Sequence, residues 1–123
     1  MYRILSTIKS ALICKKKEIL FFPYSFCKTF SILKLLYFEG YIKSYFLLEN
    51  KIQIVFNYLN ESSLMSILKI FSKKKFIIYL SYKDLCLFNE LNCILFISTI
   101  KGIITHYKAL KLKIGGKMIF FIR

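Results

Sequence analysis

The sequence has no tryptophan, one proline, four glycines, one histidine and six acidic residues among 123. Each scarcity excludes something. So little proline and glycine leaves no low-complexity tract, and no internal repeat is present. The cysteines stand at 14, 27, 86 and 93, without the close ligand pairs that a zinc site uses, so no metal is expected. His106 is the sole imidazole, and the acids are scattered one per element with no carboxylate pair for general acid–base work. Neither GxxxxGK[ST] nor GxGxxG occurs. An enzyme, a cofactor and a small-molecule substrate are therefore not expected. The longest stretch free of acids and bases is Leu91–Ile100, ten residues, against roughly 20 for a spanning helix. No transmembrane segment is expected.

What the chain has in abundance is lysine. Eighteen Lys and two Arg face six acids, a formal charge of +14 and a pI of about 9.7. A field of that sign favours a polyanion: RNA, DNA or an anionic membrane surface. Hydrophobic residues make up 57% of the chain, so it is not disordered by composition. Phe, Ile, Lys, Asn and Tyr have A/T-rich codons, and their abundance points to an A/T-biased genome, an organelle or an A/T-rich microbe. The 13 Phe and 9 Tyr are expected chiefly as core fillers. The cysteines are expected as reduced, partly buried thiols.

Apolar periodicity orders the elements. Ile4, Ile8 and Leu12, with Leu5 and Ala11, predict a first helix ending at Lys15-Lys16-Lys17. This N-terminal stretch is basic and acid-free like a transit peptide, but it leads straight into structured sequence and reads as the first helix of the mature protein. "EILFFP" predicts a short strand closed by Pro23. Ser25–Phe38 predicts a second helix with a Phe26, Phe30, Leu33, Tyr37 stripe, stopped at Gly40. "YIKSYFLL" and "KIQIVFNY" predict a hairpin turning at Glu49-Asn50, with Ile52, Ile54, Phe56 and Tyr58 on its buried face. Asn60–Ser63 is a polar break and the expected boundary between domains 1–61 and 62–123. Beyond it, "LMSILKIF" fits helix or strand equally. The lysine run 73–75 marks a turn before the strand "FIIYLS", and "KDLCLFNEL" reads as one or two helical turns favoured at their start by Asp84. Then come the strand "CILFIS", a short helix "THYKALKL" capped by Thr105, and a final strand "KMIFFI" after Gly115-Gly116. The fold class is α+β, in two small layered domains.

The segment "STIKG", Ser98–Gly102, stands out in this greasy chain. It reads as a turn leaving a buried strand and entering a helix whose first N–H groups are unpaired. Two hydroxyls, Lys101 and a glycine allowing close approach suit phosphate and ribose oxygens. Lys108, Lys111, Lys113 and Lys117 follow, and no acid does. His106, inside this basic helix, reads as solvated or phosphate-adjacent.

This C-terminal block, "STIKGIITHYKALKLKIGGKMIFFI", resembles the family of the small ribosomal subunit protein numbered eight in the bacterial scheme. That family shows a strand, Ser-Thr-Ser-Lys-Gly, a Thr-led helix containing Ala, and Gly-Gly before a last strand. "ILKLLYFEGYI" (Ile32–Ile42) resembles the end of the family's second helix, Leu5–Lys9 its first-helix pattern, and Pro23 with Ser25 its Pro-Ser step. The resemblance spans essentially the whole chain. It implies a non-enzymatic, two-domain α+β protein that binds the central domain of small-subunit ribosomal RNA early in assembly and stays in the subunit beside neighbouring ribosomal proteins. It places RNA contacts on Ser98, Thr99, Lys101 and Gly102. Through the basic N-terminal domain it adds Lys9 and the run Lys15, Lys16, Lys17; Lys108 and Lys117 complete the expected set. It also implies that "LMSILKIF" is extended. Four departures stand out: Ile100 replaces the loop's third-position serine, Lys74-Lys75 a Pro-Gly turn, His106 an Asp, and Lys117 an acid.

Two rival classes carry their own signatures. A basic peripheral membrane-surface protein would use a wide-faced amphipathic helix, for which residues 25–38 qualify. A DNA-binding protein would show a helix rich in base-reading side chains, and none does. Composition and the lack of a convincing presequence point to synthesis inside an organelle, a mitochondrion ahead of a plastid.

Overall fold

The computed structural model describes residues 2–23, 25–59, 62–63, 65, 68–71, 77–88 and 92–123. The chain forms two compact units, Met1–Ser66 and Ile67–Arg123.

In the first unit, helix α1 (Tyr2–Ile13) buries Ile4, Leu5, Ile8 and Ala11, one face at helical spacing. It ends where Lys15 turns left-handed, φ +51, and the amides of Lys15 and Lys16 bond back to the Leu12 and Ala11 carbonyls at 3.1 and 3.0 Å. Strand β1 (Glu18–Phe21) follows. Helix α2 (Phe26–Phe38) starts after an extended Ser25 whose hydroxyl makes no cap bond. It stops at Gly40 (φ +79), with Gly40 and Tyr41 donating to the Tyr37 and Leu36 carbonyls, the paired closure of a Schellman motif.

The buried face of α2 is not the expected aromatic stripe. Thr29, Ile32, Leu33 and Leu36 go inside, while Phe26 and Tyr37 stay 40% and 48% exposed. The compact aliphatics fit against the sheet. The longer rings reach sideways, Phe30 and Tyr37 meeting Tyr45 of the neighbouring strand at 6.2 and 6.0 Å.

Strands β2 (Ile42–Leu48) and β3 (Lys51–Phe56) form the predicted hairpin, with Glu49 at φ +42 in its turn. The sheet order is β1-β3-β2, antiparallel throughout. Ile52, Ile54 and Phe56 are buried as expected. Tyr58 leaves the strand instead: its hydroxyl donates to the Lys16 carbonyl at 2.6 Å. It opens β4 (Tyr58–Leu59), which pairs β5 (Ser62–Ser63).

The second unit is a five-stranded antiparallel sheet with two short helices. Its elements are β6 (Leu68–Ile70), β7 (Tyr79–Leu80), α3 (Tyr82–Phe88), β8 (Ile94–Thr99), β9 (Gly102–Thr105), α4 (His106–Leu112) and β10 (Gly116–Ile122). The order is β6-β10-β8-β9, with β7 beside the start of β10. Leu85, Leu95, Ile97, Ile104, Ala109 and Met118 form the core on the helix-bearing face. On the opposite face Phe96 and Phe120 stack with centroids 4.4 Å apart. The mixed α+β class is thus observed, and Leu68–Ile70 of "LMSILKIF" is extended.

Three expectations change. Among the described residues of "FIIYLS" only Tyr79–Leu80 is strand, and Ile77 and Ile78 are exposed. The reason is competition for one edge: β6 already pairs Phe120–Ile122 of β10, so β7 pairs Gly116 and Lys117 and the segment gains one further bond, from the Met118 amide to the Ile78 carbonyl at 2.9 Å. Next, the core is mainly aliphatic. Among the described aromatics only Phe21, Phe56, Phe96 and Phe120 are buried, whereas Phe22, Phe38, Phe46, Tyr79 and Tyr107 among others are exposed. Lastly, Cys14, Cys27 and Cys86 are exposed free thiols and Cys93 is half-buried. The lysine run 73–75 lies outside the described residues. Among those residues no helix is long and apolar enough to cross a membrane.

Candidate nucleic-acid interface

The Ser98–Gly102 turn is a hairpin tip, not a strand-to-helix junction. Strand β9 leaves it at Gly102, and the helix begins only at His106. The helix-terminal N–H groups expected at the turn therefore stand roughly 10 Å away, the rise of a four-residue strand. The short apolar run "GIIT" conceals this. Its register (Thr99↔Gly102 through Phe96↔Thr105) exists only once β8 is there to pair with.

Within the tip, each residue has a distinct task. Gly102 adopts φ +100, and nothing lies within 4 Å of an added Cβ; its conformation is what needs glycine, not close approach. The Thr99 hydroxyl donates to the Gly102 carbonyl at 3.0 Å and accepts from the Lys101 amide at 3.2 Å. With its proton committed to the turn, Thr99 braces the loop and keeps one lone pair outward. Lys101 is exposed, and Ile100 is 94% exposed at the apex.

Ser98 faces the other side of the sheet, opposite Ile103 on β9 and Lys117 on β10. The chain returns to this point because β9 carries it away, α4 carries it back, and β10 starts beside Ser98. Gly116 makes the return possible. A Cβ there would sit 2.5 Å from the Ser98 carbonyl oxygen and 2.9 Å from Thr99 Cγ2.

Of the sequence-selected residues, Ser98, Thr99, Lys101, Gly102 and Lys117 are brought together. Lys108 is exposed in the first turn of α4, at the end far from the hairpin tip. Lys111 and Lys113 are exposed at the other end of α4. Lys113 ends the helix in a left-handed conformation, φ +54. Lys9 and Lys15–Lys17 belong to the first unit, all exposed, with the Lys16 and Lys17 carbonyls held by Tyr58 and Phe56. Lysine occupies two of the three non-glycine positive-φ positions among the described residues. Each costs about 1 kcal/mol relative to a right-handed residue. Both close the end of a helix, where a left-handed residue lets the following amides bond back to the last carbonyls.

Acids barely oppose this field. None occurs between Leu91 and Arg123. Asp84 caps α3, accepting from the Ser81 amide and hydroxyl at 2.8 and 2.7 Å. Those bonds hold its carboxyl below the ordinary carboxylate value.

His106 is neither solvated nor near phosphate. It is fully buried, its Nδ1 accepts from the Leu95 amide at 3.2 Å, and its buried Nε2 has no partner among the described residues. An accepting Nδ1 places the proton of the neutral ring on Nε2, and burial pushes the pKa below the ordinary 6.5. A histidine depressed in the folded state binds its proton more readily when unfolded. Its contribution to stability is therefore present above pH 6.5 and lost as pH falls through 6.5 toward the folded value. The urea midpoint should drop between pH 7.5 and 5.5. His106→Asn, which keeps an acceptor for Leu95, should flatten that drop; an unchanged slope would remove His106 as its source.

The hairpin tip, braced by its own threonine, carries exposed Lys101 and has Lys117 beside Ser98, and no acid follows Glu90 in the sequence. A family model described as ribosomal protein S8 matches residues 2–122 of the 123-residue chain. The chain belongs to the ribosomal protein S8 family. No curated protein matches it. As an S8-family member it is a small-subunit ribosomal protein that binds rRNA alongside other ribosomal proteins, in a family that is structural rather than enzymatic.

Proposed function

We propose that this protein binds the central domain of the small-subunit rRNA and supports assembly of that subunit in organellar translation, in a mitochondrion ahead of a plastid. The observation that carries the RNA site is the β8–β9 tip, where Ser98, Lys101 and Lys117 converge on a turn fixed by Thr99 and Gly102. Lys101 and Lys117 neutralise phosphates, Ser98 reaches phosphate or ribose oxygen, and Lys111, Lys113 and Lys108 extend the field. Lys9 and Lys15–Lys17 form a second contact from the first unit. Double-helical RNA suits such a surface, because it is read through backbone and minor-groove shape and not through base edges in its deep groove. The A/T-codon composition of the chain supports the organellar assignment.

Sedimentation of an organelle lysate tests the reading. The protein should travel with the small subunit, at low salt, in the mitochondrial fraction. Recovery in ribosome-free fractions would refute it. The membrane-surface alternative draws on α2, which exposes Phe26 and Phe38 beside Lys28 and Lys34; it requires binding to anionic vesicles without binding to rRNA.

A further inference from the structure

Strand β1 is an edge of the first sheet, and its free side opens onto a groove of about 410 Å³. Thr7, Ser10 and Ala11 of α1, with Cys14 just past its end, form one wall; Glu18, Ile19 and Leu20 of β1, with Gln53 of β3, form the other. The ladder shows which backbone groups point into it. The Phe56 amide donates to the Lys17 carbonyl, so with Ile19 opposite Ile54 and Phe21 opposite Ile52 the odd-numbered residues of β1 bond to β3. Glu18 and Leu20 consequently aim their amides and carbonyls outward, toward the groove.

We propose that this groove receives an extended segment of a neighbouring small-subunit protein, added as a fourth strand on β1. The inference rests on the ribosomal reading and goes beyond it by naming the surface and the chemistry of its occupant. Alternating donors and acceptors along an edge are what a peptide backbone satisfies. RNA fits worse: phosphates could meet the outward amides, but the Glu18 and Leu20 carbonyls and the Glu18 carboxylate, which accepts from Gln53 at 2.8 Å, would repel them. The Thr7 and Ser10 hydroxyls donate to the Arg3 and Ser6 carbonyls of their own helix, so toward the groove they offer acceptors to the incoming amides. Lys16 lines one end with Lys15 and Lys17 beside it, so an acidic residue on the segment meets the lysine run.

Hydrogen exchange tests this in three states: the free chain, the chain on a central-domain rRNA fragment, and the assembled small subunit. The Leu20 amide should exchange freely in the first two and be protected at least roughly tenfold in the third. Alkylation of the exposed Cys14 thiol should slow in the same state. Leu20→Pro removes only an outward N–H, which an edge strand tolerates. It should abolish docking of the segment while leaving rRNA-fragment affinity within about twofold. Ser10→Tyr, which fills the groove from α1 and leaves β1 intact, should do the same and decides the matter if the proline variant misfolds. Protection by the rRNA fragment alone would give the groove to RNA and overturn the proposal. So would a Leu20 amide that still exchanges freely within the subunit. A chain that never enters the subunit overturns the ribosomal reading and this assignment with it.

Discussion

Lys101→Glu is expected to lower affinity for a central-domain rRNA fragment by roughly 30-fold or more, a little above 2 kcal/mol, with no loss of stability. The side chain is exposed at the hairpin tip, and only its backbone amide takes part in the turn, through Thr99. Reversal therefore leaves the fold within about 0.5 kcal/mol. At the interface it removes one phosphate neutralisation and sets a carboxylate against the RNA backbone. The slope of log affinity against log salt should shrink by roughly one counterion's worth. Lys83→Glu, an equal charge change on exposed α3 in the same unit, is the control and should cost less than about threefold, reflecting only the long-range field. Filter binding at several salt concentrations measures both. Equal losses at the two sites would show that net charge alone drives binding and that the tip has no special place.

Gly116→Ala should do the converse, damaging fold and binding together. Its methyl would meet the Ser98 carbonyl oxygen at 2.5 Å and the Ser98 carbonyl carbon at 3.1 Å, backbone atoms that cannot swing aside. Either β10 moves away from β8 or the root of the β8–β9 hairpin shifts. Overpacking of this kind costs about 1–3 kcal/mol, and the upper end is expected where backbone meets backbone. Because Lys117 and Ser98 are a cross-strand pair at the same place, rRNA affinity should fall even at temperatures where the variant stays folded. Gly40→Ala supplies the contrast. Nothing lies within 4 Å of an added Cβ there, so only the left-handed backbone is penalised, by about 1 kcal/mol, and affinity should be unchanged. Chemical denaturation followed by circular dichroism, with binding measured alongside, separates the two. A Gly116→Ala variant as stable as Gly40→Ala would mean the β8–β10 contact is looser than its geometry.

Where the chain's own pattern was strong, element and structure agree. Ile4, Leu5, Ile8 and Ala11 predict α1, and Ile52, Ile54 and Phe56 predict the buried face of β3, because burial on one side imposes a period that the residues record. Gly40 is legible as a helix stop for a local reason, its freedom to take positive φ. Periodicity misled at α2. Phe26, Phe30 and Tyr37 form a hydrophobic stripe, yet shape and not hydrophobicity chose the buried face, and Thr29 took an inside place that no hydropathy scale would assign. The tip residues Ser98, Thr99, Lys101 and Gly102 were likewise visible as a motif, while their division of labour was not. Whether Thr99 touches a ligand or its own turn depends on distances of about 3 Å to Gly102 and Lys101.

By itself, the sequence determined the α+β class, the basic field, the hairpin of the first unit and the segment that forms the tip. Each follows from local preference or from charge, which need no knowledge of what lies across the sheet. Tertiary structure alone decided that "GIIT" is a strand, that His106 is buried against Leu95 and that Lys117 stands beside Ser98. It also decided that β1 keeps an open edge. All of these depend on which strand pairs with which and in what register, and pairing is settled by non-local contacts that single residues do not encode.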